Sequence, residues 1–126
     1  MKLFVYGTLK RGYWNNRYLS TSTFIDEHIL FDYALVDLGG IPGLIETDHP
    51  DGVKGEVWEV PDDAIPALDR LEGHPEHYTR QKIGSYWTKR PDFARVEPLF
   101  GYVYQERRLP RVETNALGHY EWESDI

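Results

Sequence analysis

The 126-residue chain contains no cysteine. A disulfide framework, a thiolate metal site and a cysteine nucleophile are therefore excluded, and any catalysis must come from Glu, Asp, His, Ser, Thr, Tyr or Lys. Basic residues are in short supply: 14 Lys and Arg stand against 21 Asp and Glu, a net charge of −7. That is the wrong sign for neutralising the phosphates of a nucleic acid, and it disfavours an anionic membrane surface. Long apolar runs are missing too. Leu3-Phe4-Val5-Tyr6 stops at Gly7, too short for a signal peptide, and nothing approaches the ~20 apolar residues of a membrane-spanning helix. The expected address is cytoplasmic. What the chain does have is 40% hydrophobic residues with 9 Tyr, 5 Phe and 4 Trp, too apolar and aromatic for disorder. Its length suits one domain over 1–126, with 106–126 a tail that carries no readable pattern.

Leu3 to Tyr6 is apolar on both alternating faces, as a buried central strand requires. Further strands are expected at Ala34 to Leu38, Leu44 to Thr47, Val53 to Val60, Tyr78 to Tyr86 and Leu99 to Gln105, with His49-Pro50-Asp51-Gly52 as a hairpin turn. Strands joined by turns, without alternating helices, favour an antiparallel sheet or small barrel over a doubly wound sheet. One helix is expected from Asp63 to Gly73, capped by Asp63, with Pro66 in its first turn and Gly73 and Pro75 stopping it. A short helix over Asn15 to Leu19 is also expected.

Stepping the longer helix at roughly 100° per residue puts Ile65, Leu68 and Glu72 on one stripe, with Arg70 pointing away. Glu72 then faces the core at the helix C-terminus, where burial and the helix dipole both favour its protonated form. Such a carboxyl is suited to general base work. The bland alternative is a frayed last turn that leaves Glu72 in water. Earlier in the chain, Tyr6-Gly7-Thr8-Leu9-Lys10-Arg11-Gly12 runs from a strand into a glycine turn whose N–H groups can form an anion-binding concavity. Tyr13 and Trp14 follow Gly12 where a phosphate loop needs Lys and Ser or Thr, so the nucleotide reading fails. Lys10-Arg11 reads as a solvated pair on that turn or a contact for an acidic partner. The four tryptophans, Trp14, Trp58, Trp87 and Trp122, read as core or rim. A metal-hydrolase reading rests on Glu72, His74, Glu76 and His77, but Pro75 breaks the helix between the two His residues. His74 and His77 are thus loop residues or the rim of a site, and neither a metal nor a cofactor is expected.

Tyr6-Gly7-Thr8-Leu9-Lys10-Arg11-Gly12, then Leu68-Asp69-Arg70-Leu71-Glu72-Gly73, then Tyr78-Thr79-Arg80 together resemble the gamma-glutamylcyclotransferase superfamily, and within it the gamma-glutamylamine cyclotransferase and AIG2-like branch. Ile41-Pro42-Gly43-Leu44-Ile45, Gly55-Glu56-Val57-Trp58 and Gly101-Tyr102-Val103-Tyr104 extend the likeness over about residues 3 to 105. The resemblance implies an α+β fold: a small mixed, largely antiparallel β-barrel of about six or seven strands with one or two short helices. It also implies a reaction, cleavage of a gamma-glutamyl amide by its own alpha-amine to give 5-oxoproline and an amine. In that reaction Glu72 matches the general acid/base, and Tyr6, Gly7, Thr8 and Leu9 form the substrate-binding turn. Tyr78 and Tyr102 or Tyr104 supply hydroxyl groups. The implied partner is a small gamma-glutamyl substrate. Tyr13 to Leu19, the Gly39 to Ile45 loop and the tail are expected to shape the leaving-group pocket. The competing class is a non-catalytic binding or interaction protein on the same fold.

Overall fold

A computed structural model describes residues 1–48, 51–89, 94–105 and 121–122. Among the described residues seven strands run in chain order: β1 (Lys2–Val5), β2 (Thr23–Leu30), β3 (Tyr33–Asp37), β4 (Pro42–Glu46), β5 (Val53–Glu59), β6 (Tyr78–Lys89) and β7 (Ala94–Tyr104). The α-helix α1 (Ile65–Glu72) connects β5 to β6, and 3-10 turns cover Trp14–Leu19 and Asp62–Ala64. Five strands form a sheet in the order β2-β5-β1-β7-β6, while β3 and β4 form a separate two-stranded sheet. Every pairing is antiparallel except β1 with β7, where Leu3 lies opposite Phe100. The strand number and mixed, largely antiparallel pairing are those expected. The larger sheet, however, stays open, ending at β2 and β6 rather than closing into a barrel.

β1 occupies the middle of the five strands, and its two faces explain its uninterrupted apolar sequence. Leu3 and Val5 join Leu9, Leu19, Trp58, Val60, Ile65, Leu68 and Tyr102 in one core layer, under α1 and the 3-10 turn at Trp14–Leu19. Phe4 and Tyr6 join Tyr33, Leu35 and Leu44 of the β3–β4 hairpin in the other. The sheet is thus sandwiched between helical segments and a hairpin, and β1 has no solvent side.

Three expectations are corrected. β2 was not among the expected strands: it is an edge strand with alternating burial, and its register shifts between Phe24 and Asp26 against β5. This bulge breaks the period-2 signal. Asp63 does not cap α1; it sits in the preceding 3-10 turn, the N-cap is Ala64 and no side chain bonds to it. Finally, β4 and β5 do not pair with each other, so the segment around Asp51-Gly52 connects two sheets rather than the arms of a hairpin. His49 and Pro50 lie outside the described residues, as does the tail apart from Glu121 and Trp122.

Candidate active site

Glu72 is positioned by its own helix. Leu68, one turn earlier, is fully buried and Ile65 nearly so, which turns the stripe carrying Glu72 toward the sheet. Gly73 then adopts φ +65°, and the N–H groups of Gly73 and His74 donate to the carbonyls of Arg70 and Asp69 at 3.2 and 2.9 Å. A left-handed residue at this point costs glycine least, so the helix stops with Glu72 at its end. The side chain is not in water. Burial pushes its carboxyl up to about 7, and among the described residues no hydrogen bond or ion pair partners it.

Around it lies a narrow cavity of about 40 Å³ bordered by Glu72, Tyr6, Gly7, Thr8, Leu9, Tyr78 and Tyr102. These are the seven residues singled out from sequence, and they come from β1 and its turn, the end of α1, β6 and β7. Pro42 and Ile41 also border it. Gly7 is there for space, since a Cβ on it would stand 2.8 Å from Cγ of Pro42. The turn is braced from behind. The Lys10 N–H donates to the Gly7 carbonyl at 3.1 Å, and Asn15 holds Thr8 twice, backbone N–H to carbonyl at 2.9 Å and Nδ2 to Oγ1 at 2.8 Å. Asn16 Nδ2 donates to the Leu9 carbonyl at 2.8 Å. Among the described residues the amides of Thr8 and Leu9 donate to nothing, so the turn retains two donors.

The three tyrosines are committed differently. Tyr6 donates its hydroxyl to the Tyr102 carbonyl at 2.7 Å, Tyr78 to the Pro42 carbonyl at 2.8 Å and Tyr102 to Asp69 Oδ1 at 2.7 Å. Burial is the main reason all three resist ionisation, and the nearby Glu72 charge adds to it. They stay neutral, with hydroxyl oxygens still able to accept. Tyr104 packs edge-on against Tyr78, ring centroids 5.5 Å apart, outside the cavity wall. Behind Tyr102, Arg80 Nε and Nη2 donate to Asp69 at 3.0 and 3.2 Å. Partial burial would raise Asp69, but these bonds and the one from Tyr102 outweigh it and hold the carboxyl below the usual range.

His74 accepts from the Arg80 N–H at 2.9 Å through Nδ1, and among the described residues no group of three or more His, Asp or Glu could hold a metal ion. The solvated reading of Lys10 is overturned: it is buried, and its ammonium donates to the Trp122 carbonyl at 2.8 Å. Arg11 binds Glu56 through Nε at 3.0 Å and stacks on Phe24. Of the tryptophans, Trp58 lies in the core layer under α1, Trp122 packs against the other layer, and Trp14 and Trp87 are exposed. Within the segments expected to shape a leaving-group pocket, Ile41 and Pro42 reach the cavity, but Tyr13 to Leu19 do not. A larger hollow of about 800 Å³ beside Asp32, Glu46, Asp48 and Gln105 is wide and acidic.

The chain that carries this glycine turn and helix-end carboxyl matches a known family model. Residues 3–123 fit that of the gamma-glutamyl cyclotransferases, AIG2-like. The chain belongs to this family. It is 37% identical over 109 residues to a putative gamma-glutamylcyclotransferase of Vibrio cholerae, covering 82% of each chain. It is also 38% identical over 71 residues to the gamma-L-glutamyl-butirosin B gamma-glutamyl cyclotransferase of Niallia circulans, covering 56% of this chain and 44% of that one. Among solved structures, an AIG2-like protein from Mus musculus superposes with a TM-score of 0.71 at 25% identity, covering 99% and 89% of the two chains. The family match continues past residue 105, where the sequence resemblance had ended.

Proposed function

We propose that this protein is a cyclotransferase that cleaves a gamma-glutamyl amide by intramolecular attack, with Glu72 as general acid/base. The observation that carries this reading is a buried carboxyl at about 7 sharing one cavity with the Gly7–Leu9 turn. The substrate's alpha-amine is mostly protonated near neutral pH, since a model alpha-amino group titrates at about 8. The Glu72 carboxylate takes a proton from it, and the freed amine attacks the gamma-carbonyl carbon. As the ring C–N bond forms, the old amide C–N bond breaks and the proton on Glu72 goes to the departing nitrogen; the Glu72 carboxylate so freed takes the second proton from the ring nitrogen, leaving a neutral lactam, and passes it to the released amine. A group titrating near the working pH can both take and return that proton.

The rest of the site holds the substrate folded. Closing a five-membered ring needs the amine over the carbonyl, and such orientation is worth up to about 7–11 kcal/mol in favourable cases. The Thr8 and Leu9 amides suit the alpha-carboxylate or the developing oxyanion, and the hydroxyl oxygens of Tyr78 and Tyr102 can accept from the ammonium. The relative from Niallia circulans, which carries this activity in its name, supports the reaction class. Incubating the protein with gamma-glutamyl amines and dipeptides should release 5-oxoproline and free amine in equal amounts. Release that persists at the wild-type rate in Glu72→Gln would overturn the assignment.

A further inference from the structure

A second hollow, an open groove of about 430 Å³, shares Glu72, Tyr78 and Ile41 with the narrow cavity and continues outward from it. Its volume is in the range of small-molecule subsites. Leu38, Ile41, Leu71 and the ring of Tyr104 supply an apolar lining. Ile41 is 52% exposed, an apolar side chain left at the mouth. Arg70 also lines the groove. It is exposed, and among the described residues it has no ion pair. Glu72 is the only carboxylate lining the groove among the described residues, and the His77 ring closes it beside Gly73.

Resting on the cyclotransferase reading, we propose that this groove is the leaving-group subsite and that it selects an amine with an apolar side chain and a carboxylate, that is, a gamma-glutamyl derivative of a hydrophobic alpha-amino acid. The glutamyl half occupies the narrow cavity against the turn. The scissile nitrogen then lies at Glu72, the one carboxyl common to both spaces among the described residues, and whatever that nitrogen carries projects into the groove. Leu38, Ile41 and Leu71 reward an aliphatic or aromatic side chain by removing it from water. Arg70 offers a free guanidinium to its carboxylate. A diamine such as cadaverine would instead bring its second ammonium toward Arg70, with no carboxylate among the described lining residues but the one engaged in chemistry to receive it.

The test is a ranking of kcat/KM, read as 5-oxoproline release, over gamma-glutamyl-leucine, gamma-glutamyl-leucinamide, gamma-glutamyl-cadaverine and gamma-glutamyl-methylamide. Gamma-glutamyl-leucine should exceed gamma-glutamyl-cadaverine by at least ~10-fold, as expected for a side chain matched to an apolar pocket. Arg70→Gln should bring leucine and leucinamide derivatives to parity, and Ile41→Asp should shift preference toward the cadaverine derivative. Both positions are exposed at the surface, so folding should survive, and a thermal melt confirms it. If 5-oxoproline forms but the cadaverine derivative ranks first, or the leucine to leucinamide ratio ignores Arg70→Gln, the groove assignment falls while the cyclotransferase reading stands. If no amide in the panel yields 5-oxoproline, that reading itself fails and takes this one with it.

Discussion

Asp69 and Glu72 lie three residues apart on the same helix, and both are withdrawn from water, yet they titrate in opposite directions. Asp69 receives two hydrogen bonds from Arg80 and one from Tyr102, which together hold its carboxyl below the usual range. Glu72 receives none among the described residues, and burial carries it to about 7. Loss of hydration acts on both; only partners distinguish them. One carboxylate is a permanent anion that anchors β6 and β7 to the helix, and the other is free to exchange a proton at neutral pH. The reaction we propose needs the second kind, and the first keeps Tyr102 turned toward it.

The sharpest way to break the contrast is Glu72→Gln, which keeps the shape and removes the proton exchange. Turnover should fall by roughly 100- to 10,000-fold, the usual worth of general acid/base catalysis, in a steady-state assay on any accepted amide. Asp69→Asn should act mainly on structure. It discards the charge-assisted bonds to Arg80, costing about 1–2 kcal/mol after allowance for their partial exposure, seen as a lowered denaturation midpoint, and loosens Tyr102 enough to lower kcat by about tenfold. If instead Asp69→Asn matched Glu72→Gln in kcat without loss of stability, the roles assigned to the two carboxyls would be reversed.

The pH dependence sharpens the same comparison. Glu72 must be ionised to act as base, so kcat/KM should rise with pH and level off above about 7. Its effect on stability has the opposite sign. The folded protein holds this proton more tightly than the unfolded chain, so the cost of the buried charge appears as pH rises above 4.5 and is complete above about 7. Glu72→Gln should therefore match the wild type in stability at pH 4 and exceed it by up to about 3 kcal/mol at pH 8, at 1.36 kcal/mol per pKa unit. Asp69, with its pKa depressed, contributes stability that is present at neutral pH and lost as the solution is acidified below about 4. The smallest effect belongs to Tyr78→Phe, which removes the bond to the Pro42 carbonyl. A loss of roughly threefold to tenfold in kcat/KM is expected, in line with one neutral hydrogen bond.

Much of this is legible in the sequence. β1 was legible as a buried central strand because apolar residues on both faces leave it no wet side, and the sheet is built with helical segments on one face and a hairpin on the other. The Ile65, Leu68, Glu72 stripe and the stop at Gly73 were legible because they are local and periodic. β2 was not, since an edge strand with a bulge loses both the apolar content and the period that identify strands. The N-terminal cap was misread because Asp62 to Ala64 tighten into a 3-10 turn, which Pro66 permits as readily as a capped start. Lys10 was misread for a different reason: its carbonyl partner comes from residue 122, and no local pattern reports a contact so distant.

The division follows from the range of the forces involved. Spacing of apolar residues along a helix or strand decides which side chain faces inward, so the inward Glu72 and the glycine turn after β1 belong to the sequence. Whether an inward carboxyl is quenched or left open depends on groups tens of residues away along the chain. Only folding brings Tyr6, Pro42, Tyr78 and Tyr102 around Glu72 and gives the guanidinium of Arg80 to Asp69 instead. Burial and hydrogen bonding act over a few ångströms of space regardless of separation along the chain, so the proton affinity of Glu72 and the groove opening beside it were decided by the tertiary structure.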